Sequence, residues 1–312
     1  MIKKTIVTTT IYPPSKALFK YVRKKDWNII IVGDKKTPDK IYRKFEKSHK
    51  NVIYLSPEDQ ERKYKKVSKA LCWNCIMRRN IGFLEAYQLG ARVIATVDDD
   101  NIPYKDWGKE VFINKEIEIN VYEPKNEVFD PLSITNNNFL WHRGYPIDLL
   151  PSRLKVYNKG KAKRRVLIQA GLWDGDPDID ALARLAFNNP NVKFNKLQPY
   201  GSNKISPFNS QNTFISREVL PYYAVLPYIG RMDDIWGSYI LQNYFPDSVV
   251  YTKATVHQER NIQSAVNNLE NEIFGYRNTL NFIRNIKSYE TFLPAETREF
   301  YNLYRAEYNK FK

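Results

Sequence analysis

The fold is decided by the stretch ARVIATVDDDN, which runs from Ala91 to Asn101. Its ARVIATV half is an apolar run without regular polar alternation, which is typical of a strand buried on both faces of a sheet. Three aspartates, Asp98 to Asp100, follow at the carboxyl end of that strand. Open α/β sheets bind their ligands at such ends, so the stretch predicts an α/β domain with a ligand site at the aspartates.

Three more strands are predicted upstream. A β-branched run covers residues 5–10 and ends at two prolines, and apolar runs follow at 27–32 and 51–55, each closed by a turn signal. Helix-length segments separate the runs, and a helix is predicted from Val67 to Gly90. This βαβα order predicts a nucleotide-binding sheet.

The rest of the chain shows weaker patterns. The basic run KGKAKRR, from Lys159 to Arg165, is predicted to be a loop. A helix is predicted after the turn at Gly230, and apolar residues recur at helical spacing from Ile262 to Ile283. We therefore predict one catalytic domain at 1–258, with a nucleotide-binding half at 1–110 and an acceptor and metal half at 111–258. A helical extension follows at 259–312.

Composition limits the class of protein and of partner. Of 312 residues, 43% are hydrophobic, which a packed globular chain requires. No apolar run of about 18 residues and no signal-peptide core occurs, so we expect a soluble, cytoplasmic protein without a transmembrane segment. A net charge of +15 favours polyanionic partners such as nucleic acid, with a merely solvated basic surface as the alternative. The oligomeric state stays open.

The two cysteines, Cys72 and Cys75, form a lone CxxC. One such pair cannot complete a four-ligand zinc site. Because they fall within the predicted helix at 67–90, we expect them to line a helix face; a redox role is the alternative.

The three aspartates predict a divalent cation. Like charges a few ångströms apart raise one another's pKa, and a cation relieves that cost. Mg²⁺ and Mn²⁺ take oxygen ligands and bridge to diphosphate oxygens, which would help a nucleoside diphosphate to leave. A solvated acidic turn is the alternative. His257, after a strand-like segment, is a candidate nitrogen ligand for the same ion, with a surface histidine as the alternative.

Two further pairs are candidates for proton transfer and phosphate binding. Asp233 and Asp234, at a helix start, could act as a general base toward an acceptor hydroxyl, or could simply favour the helix dipole. Arg78 and Arg79 could face phosphates, with surface solvation as the alternative.

The motif GLWDGDPDID, from Gly171 to Asp180, is a candidate sugar site. It lacks the glycine and the terminal glutamate that a calcium loop requires. Trp173 is instead predicted to stack on a sugar ring while flanking carboxylates such as Asp176 accept hydrogen bonds from its hydroxyls.

Four blocks of sequence, taken in order, resemble the reversibly glycosylated polypeptide and UDP-arabinopyranose mutase family. They are TTTIYPP with VGDKKTP, then TVDDDN, then HRGYPIDL with AGLWDGDPDIDA, and finally IGRMDDIWGS with VHQERN. The N-terminal third also resembles the related STELLO-type glycosyltransferases. The blocks lie between residue 5 and about residue 260, so the resemblance covers most of the chain.

The resemblance implies a GT-A fold, in which a mixed sheet is flanked by helices, here with a C-terminal helical extension. It implies a UDP-sugar donor and Mn²⁺ or Mg²⁺ held by Asp98, Asp100 and His257. Catalytic roles fall to Asp233, Asp234 and Arg143. Donor binding is assigned to Thr8, Thr9, Thr10, Asp34, Arg79, Asp98, Asp99, Trp173 and Asp176.

Arg143 matches the arginine that becomes glycosylated in the mutases. The mutase pattern has another arginine seven positions later, where this chain has Leu150. This departure favours transfer to a separate acceptor.

The predicted function is therefore sugar transfer from a UDP-sugar, with a pentose such as arabinose as one candidate. Basic charge favours an anionic acceptor such as hydroxymethylated viral DNA over a glycan. UDP-sugar mutase activity and a non-catalytic nucleic-acid-binding role are the alternatives.

Overall fold

The computed structural model describes residues 3–260 and 264–311. Within them, eleven strands form one mixed sheet. The strands are β1 (Lys4–Thr9), β2 (Asn28–Val32), β3 (Val52–Leu55), β4 (Val93–Val97), β5 (Asn101–Pro103), β6 (Glu116–Pro124), β7 (Val156–Arg165), β8 (Ile168–Gly175), β9 (Tyr200–Gly201), β10 (Asn212–Ser216) and β11 (Val249–Gln258). The helices are α1 (Lys16–Tyr21), α2 (Asp39–Ser48), α3 (Pro57–Lys63), α4 (Lys65–Lys69), α5 (Arg79–Gln88), α6 (Ala181–Ala186), α7 (Asp233–Tyr244), α8 (Ala265–Arg284) and α9 (Ala295–Tyr308).

The sheet has the order β3-β2-β1-β4-β10-β8-β11-β9-β6-β7, and β5 pairs with β11. The first four strands are parallel, with Val7 opposite Ile30 in the pairing of β1 and β2. β10 then runs antiparallel between β4 and β8. Parallel strands end at one edge, so the carboxyl ends of β1, β2 and β4 lie together. This edge carries the predicted aspartates.

Alternating side chains of the strands build a core on each face of the sheet. Val7 and Ile30 belong to one hydrophobic cluster, and their neighbours Ile6 and Ile29 belong to the other. Burial on both faces explains why these strands lack polar alternation in the sequence. The predicted mixed α/β sheet flanked by helices is confirmed, and its first four predicted strands agree with β1 to β4 within two residues.

Helix α5 packs closely on the sheet through a glycine. A Cβ placed on Gly82 would lie 2.4 Å from Cγ1 of Val7 and 2.8 Å from Cγ2 of Val32. Only a residue without a side chain lets the helix approach β1 and β2 to this distance. The close approach places Arg79, at the start of α5, beside the carboxyl end of β4.

The predicted C-terminal helices are confirmed as α8 and α9; Ile262, the start of the predicted helical stripe, lies outside the described residues. Helix α8 packs against the turn that precedes α7. A Cβ on Gly275 would lie 2.3 Å from Cγ of Met232, and Phe282 stacks on Trp236 with ring centroids 4.0 Å apart. The extension is therefore packed against the elements that carry Asp233 and Asp234.

Two local predictions are wrong. KGKAKRR is not a loop but most of strand β7, which pairs with β6; its lysines alternate with small or other basic residues on an exposed hairpin, so no apolar period marked it. The predicted helix at 67–90 is broken, because α4 ends at Lys69 and a turn containing both cysteines precedes α5. Spacing of apolar residues alone did not show that break.

Among the helices of residues 3–260 and 264–311, none combines the length and the apolar character that crossing a membrane requires.

Candidate active site

The three aspartates occupy the turn between β4 and β5. The backbone N–H of Asn101 donates to the Asp98 carbonyl at 3.2 Å, which closes the turn. Asp98 and Asp100 line two neighbouring cavities of about 220 and about 230 Å³. Asp98 and Asp100 therefore form a wall that the two cavities share, and Asp99 faces the first cavity.

The first cavity lies over the carboxyl ends of β1, β2 and β4. Asp34, which follows β2, accepts from the backbone N–H groups of Lys35 at 2.7 Å and Cys75 at 3.2 Å. Its carboxylate is thereby fixed on the cavity wall. The other lining residues are Thr9, Thr10, Ile11, Tyr12, Asn74, Cys75, Ile76, Arg79 and Asp98 to Asp100.

The threonines after and within β1 have different surroundings. Thr10 donates through Oγ1 to Oδ2 of Asp99 at 2.5 Å, which orients that aspartate. Thr9 lines the first cavity, whereas the buried Thr8 is not among its lining residues. Of the three predicted donor-binding threonines, the structure thus brings Thr9 and Thr10 to the aspartates.

Arg79 joins the aspartates to the second half of the sheet. Its Nη2 donates to Oδ1 of Asp98 at 2.5 Å, and its Nη1 donates to the carbonyl and hydroxyl oxygens of Ser210 at 2.8 and 2.6 Å. Arg78 points elsewhere, with Nε and Nη2 on the carbonyl oxygens of Cys72, Ser68 and Leu71 at 3.0 to 3.2 Å. Arg79 therefore lines the first cavity, whereas Arg78 anchors the backbone around Cys72.

The negative charge of Asp100 is only partly compensated, by the positive charge of Arg260. Its Oδ1 is buried and has no hydrogen-bond partner within the described structure. Burial, followed by repulsion from Asp98 and Asp99, raises the pKa of Asp100 to about 8. Burial also raises the pKa of Asp99, which the bond from Thr10 partly offsets. Folding thus holds carboxylates together at the shared wall despite a cost that a cation would relieve.

The second cavity contains a buried arginine between carboxylates. Arg143 donates from Nε to Oδ1 of Asp178 at 3.0 Å and from Nη2 to Oδ1 of Asp234 at 2.9 Å. Its Nη1 donates to the carbonyl of Arg231. Burial lowers the pKa of Arg143, but the aspartates raise it by more, so it stays well above its ordinary value. Every nitrogen of this guanidinium is engaged.

Asp233 and Asp234 are adjacent, but the pKa values of their carboxyl groups are shifted in opposite directions. Asp234 accepts from the backbone N–H and hydroxyl of Ser210 at 2.8 and 2.9 Å, besides Arg143. Burial is the largest influence and raises the pKa of Asp234, but Arg143 and the hydrogen bonds from Ser210 together lower it by more, so the net shift is downward. Burial and repulsion from Asp234 raise the pKa of Asp233 to about 7. The pair therefore combines a permanent carboxylate with one that titrates near neutrality.

The GLWDGDPDID motif supplies carboxylates rather than a stacking ring. Asp176 accepts from Arg260 at 3.1 Å and from Arg184 at 2.6 Å, and Asp178 lines the second cavity. Trp173 is 2% exposed and packs edge-on against His142 with centroids 5.6 Å apart. A buried ring offers no open face to a sugar, because the pleat of β8 turns this side chain into the core.

His257 lies on β11 opposite Asp174 of β8, not with the aspartates. Its ring packs against Gly175, where a Cβ would lie 2.9 Å from Cε1. The next residue, Gln258, lines the second cavity, and successive strand residues point to opposite faces. His257 therefore lies on the opposite face of the strand from Gln258, and it lines neither of the two cavities that Asp98 and Asp100 border. Within residues 3–260 and 264–311, no three His, Cys, Asp or Glu side chains form a complete metal-binding group.

Sequence reasoning missed several lining residues. Tyr12, half exposed, borders the first cavity, and it lies in the TTTIYPP block. Arg260 lies in the VHQERN block and lines the second cavity. The quoted blocks contained both residues, but a single sequence does not show which member of a block faces the site. Gln211, Arg231 and Cys75 also line these cavities, and the sequence predicted no site role for them.

The chain is similar to the STELLO proteins. It is 24% identical over 229 residues to "Probable glycosyltransferase STELLO2" of Arabidopsis thaliana, a match that covers 68% of this chain and 29% of that protein. It is 26% identical over 191 residues to "Probable glycosyltransferase STELLO1" of the same plant, covering 58% of this chain and 24% of that protein. The matches thus span less than a third of the length of either relative.

No protein-family profile matches the chain. Among solved structures, the crystal structure of the A197 protein from STIV is similar at 13% identity over 84% of this chain and 86% of that chain. Its TM-score is 0.31, so this likeness carries no argument.

Proposed function

We propose that this protein is a metal-dependent glycosyltransferase of the GT-A type that uses a UDP-sugar. The observation that carries the proposal is the shared wall, where Asp98 and Asp100 face both cavities and Asp100 has an unpartnered buried oxygen. Transfer needs a donor pocket and an acceptor pocket that meet at the leaving group. The similarity to two proteins named as probable glycosyltransferases supports the same activity.

The residues at the wall fit a divalent cation. Mg²⁺ and Mn²⁺ are commonly held by one or two carboxylates together with substrate phosphates, so a site need not contain a third protein ligand. Asp98 and Asp100 would hold the ion, and it would stabilise the negative charge of the departing UDP. His257 is not part of this proposal, because it lines neither of the two cavities that Asp98 and Asp100 border.

The first cavity would bind the nucleotide. Asp34 is fixed where it can accept hydrogen bonds from the ribose or the base, and Tyr12 offers a half-exposed ring for stacking. Arg79 holds Asp98 in place through the 2.5 Å contact and carries positive charge close to the diphosphate position.

The second cavity would bind the transferred sugar and the acceptor hydroxyl. Asp233, with its pKa raised to about 7, is the general base that would take the hydroxyl proton. Asp234 is a positioning residue, because its oxygens are engaged by Ser210 and Arg143. The two predicted catalytic aspartates thereby receive different roles.

Arg143 argues against the mutase alternative. A guanidinium attacks a sugar only after losing a proton, and three aspartates hold Arg143 in its charged form. Its nitrogens are also directed at protein oxygens. We therefore favour transfer to a separate acceptor, with Arg143 organising Asp178, Asp233 and Asp234.

For the acceptor we propose an anionic molecule, with DNA carrying hydroxymethylated bases as the first candidate and a glycan as the alternative. The densest basic run does not provide this surface, because Lys159, Lys161 and Lys163 of β7 pair with glutamates of β6 at 3.5, 2.7 and 3.8 Å. The chain nevertheless has 49 Lys and Arg against 34 Asp and Glu, so internal pairing leaves a surplus of cations. Such a surplus favours phosphate contacts.

The decisive experiment measures UDP release from a panel of UDP-sugars, including UDP-arabinopyranose, with Mn²⁺ and with or without hydroxymethylated DNA. We expect release that disappears in Asp100→Ala. If DNA stimulates UDP release and this stimulation weakens steeply with added salt, the result supports DNA as the acceptor. If DNA does not change UDP release, the result favours a glycan acceptor. Formation of UDP-arabinofuranose without an acceptor would establish the mutase instead, and no release from any donor would refute transferase activity.

A further inference from the structure

Two cysteines lie at the edge of the first cavity. Cys75 lines it together with Asp34 and Arg79, and Cys72 is exposed beside it. The Cys75 thiol is directed back toward Cys72, since its Sγ lies 3.0 Å from the Cys72 carbonyl oxygen. The two side chains therefore converge at the mouth of the proposed nucleotide pocket.

The turn that carries the two cysteines is held in place by Arg78. Nε of Arg78 donates to the Cys72 carbonyl at 3.0 Å, and its guanidinium stacks on Trp73 at 3.2 Å from the ring centroid. Arg78 is itself buried and anchored to Ser68 and Leu71. A fixed turn keeps the two thiols close.

The same turn holds the loop after β2. The backbone N–H of Cys75 donates to Asp34 at 3.2 Å, and the side-chain oxygen of Asn74 accepts from the N–H of Lys36 at 3.2 Å. Asn74 has a left-handed φ of 57°, so the turn has little freedom to shift without disturbing these bonds. The position of Cys75 and that of the Asp34 carboxylate are thus linked.

We propose that Cys72 and Cys75 form a reversible thiol–disulfide pair, and that the disulfide weakens nucleotide binding in the adjoining cavity. The regulatory half of this proposal rests on the proposed function, because it takes UDP as the ligand of that cavity.

The chemistry needs a two-electron oxidant, for which a hydroperoxide suffices. The Cys72 thiolate attacks one peroxide oxygen, so an S–O bond forms and the O–O bond breaks, leaving a sulfenic acid and water or an alcohol. The Cys75 sulfur then attacks the Cys72 sulfur; the S–S bond forms, the S–O bond breaks and water leaves with the thiol proton. Two thiols are oxidised and one peroxide is reduced.

The roles of the two sulfurs follow from their surroundings. The neighbouring Cys75 thiol is the largest influence on the pKa of Cys72 and, together with the positive charge of Arg78, lowers it to about 7 against the opposing effect of burial. The Cys72 thiol and burial raise the pKa of Cys75. The exposed, more acidic Cys72 is therefore the attacking thiol, and Cys75 is the resolving thiol.

Disulfide formation would move Cys75 out of its present position. Its Sγ must leave the Cys72 carbonyl and bond to the Cys72 sulfur at the rim, which draws residue 75 away from Asp34. Loss of that charge-assisted hydrogen bond frees a carboxylate of the nucleotide pocket. We expect the affinity for UDP to fall about tenfold.

The first part of the test is formation of the disulfide in the 312-residue chain. Hydrogen peroxide should remove the mass of two hydrogen atoms from the wild type and abolish labelling of both thiols, and dithiothreitol should reverse both changes. Cys72→Ser and Cys75→Ser should each fail to form the internal bond. A wild type that yields only intermolecular dimers or over-oxidised cysteine would overturn the proposal.

The second part is the affinity for UDP with Mn²⁺, measured by calorimetry before and after oxidation. The wild type should weaken about tenfold and recover on reduction, whereas Cys72→Ser should bind alike in both conditions. An oxidised wild type that contains the disulfide and binds UDP unchanged would refute the regulatory half. If the reduced protein does not bind UDP at all, both the proposed function and the proposed effect of the disulfide on nucleotide binding are refuted. The mass measurement still decides whether Cys72 and Cys75 form a disulfide.

Discussion

Arg143 and Asp178 form a buried, two-point ion pair: Nε of the arginine lies 3.0 Å from Oδ1 of the aspartate, and Nη2 lies 3.0 Å from Oδ2. Burial raises the pKa of Asp178, but Arg143 and then Arg260 lower it by more, so it lies below its ordinary value. The pair fixes the guanidinium that in turn holds Asp234. Ordering of the second cavity thus depends on this contact.

Removing one partner of the pair should be costly. Asp178→Asn leaves a buried guanidinium without its main counter-charge, so we expect the free energy of unfolding to fall by about 3 kcal/mol. Urea denaturation measures this change. Asp148→Asn, on an exposed side chain, is the matched control and should stay within about 0.5 kcal/mol of the wild type. Equal stability of both variants would contradict the role given to the pair.

Asp100→Asn should change how the stability of the protein depends on pH. The folded state raises the pKa of Asp100 from 3.8 to about 8, so it binds a proton more tightly than the unfolded chain does. The contribution of Asp100 to the stability of the metal-free protein should therefore be greatest at low pH and decline as pH rises between these values. Asparagine removes that decline, so the variant should be about 1–3 kcal/mol more stable at pH 8.

The same variant should lose the cation. We expect Asp100→Asn to weaken Mn²⁺ binding in the presence of UDP, followed by electron paramagnetic resonance, and to lower kcat at least about 100-fold. Asp26→Asn, which also removes one carboxylate but at an exposed position, should change neither quantity. Undiminished Mn²⁺ binding in Asp100→Asn would exclude this aspartate as a ligand.

Asp233 should set the acid limb of the pH profile. A general base works in its ionised form, so kcat/KM should rise with pH and level off above the pKa of about 7. Asp233→Asn should lower kcat/KM by about 100-fold to 10,000-fold and abolish this limb. Asp234→Asn should lower stability and retain the inflection but move it to lower pH, because repulsion from Asp234 raises the pKa of Asp233. If Asp234→Asn alone removed the limb, the assignment of the base would have to be exchanged.

Gly82→Ala tests the packing of α5 on the sheet. In an isolated helix alanine is more stable than glycine by about 1 kcal/mol. Here the new Cβ would lie 2.4 Å from Val7, so we expect the variant to be less stable by about 1–3 kcal/mol. Thermal and urea unfolding measure whether the substitution lowers or raises the free energy of unfolding. An increase would show that α5 can move away from the sheet without cost.

Local sequence patterns were sufficient to predict strands β1 to β4. The runs that became β1 to β4 are apolar on both faces because each strand lies between helices, and the aspartates follow β4 directly in the chain. Local sequence patterns did not predict the structure of segments whose conformation depends on residues distant in the chain. The basic run of β7 is stabilised by glutamates of β6, about forty residues away, and has no apolar period of its own.

By itself, the sequence determined that an acidic turn follows a buried strand, since hydrophobic periodicity and adjacency in the chain are local properties. Only the tertiary structure decided which side chains meet that turn. Arg143 reaches Asp178 and Asp234 across separations of 35 and 91 residues, and strand alternation turns Trp173 into the core. His257 is absent from the linings of both cavities that Asp98 and Asp100 border. The physical reason is that strand order and register set contacts between distant residues, and these depend on the packing of the whole sheet rather than on any one segment.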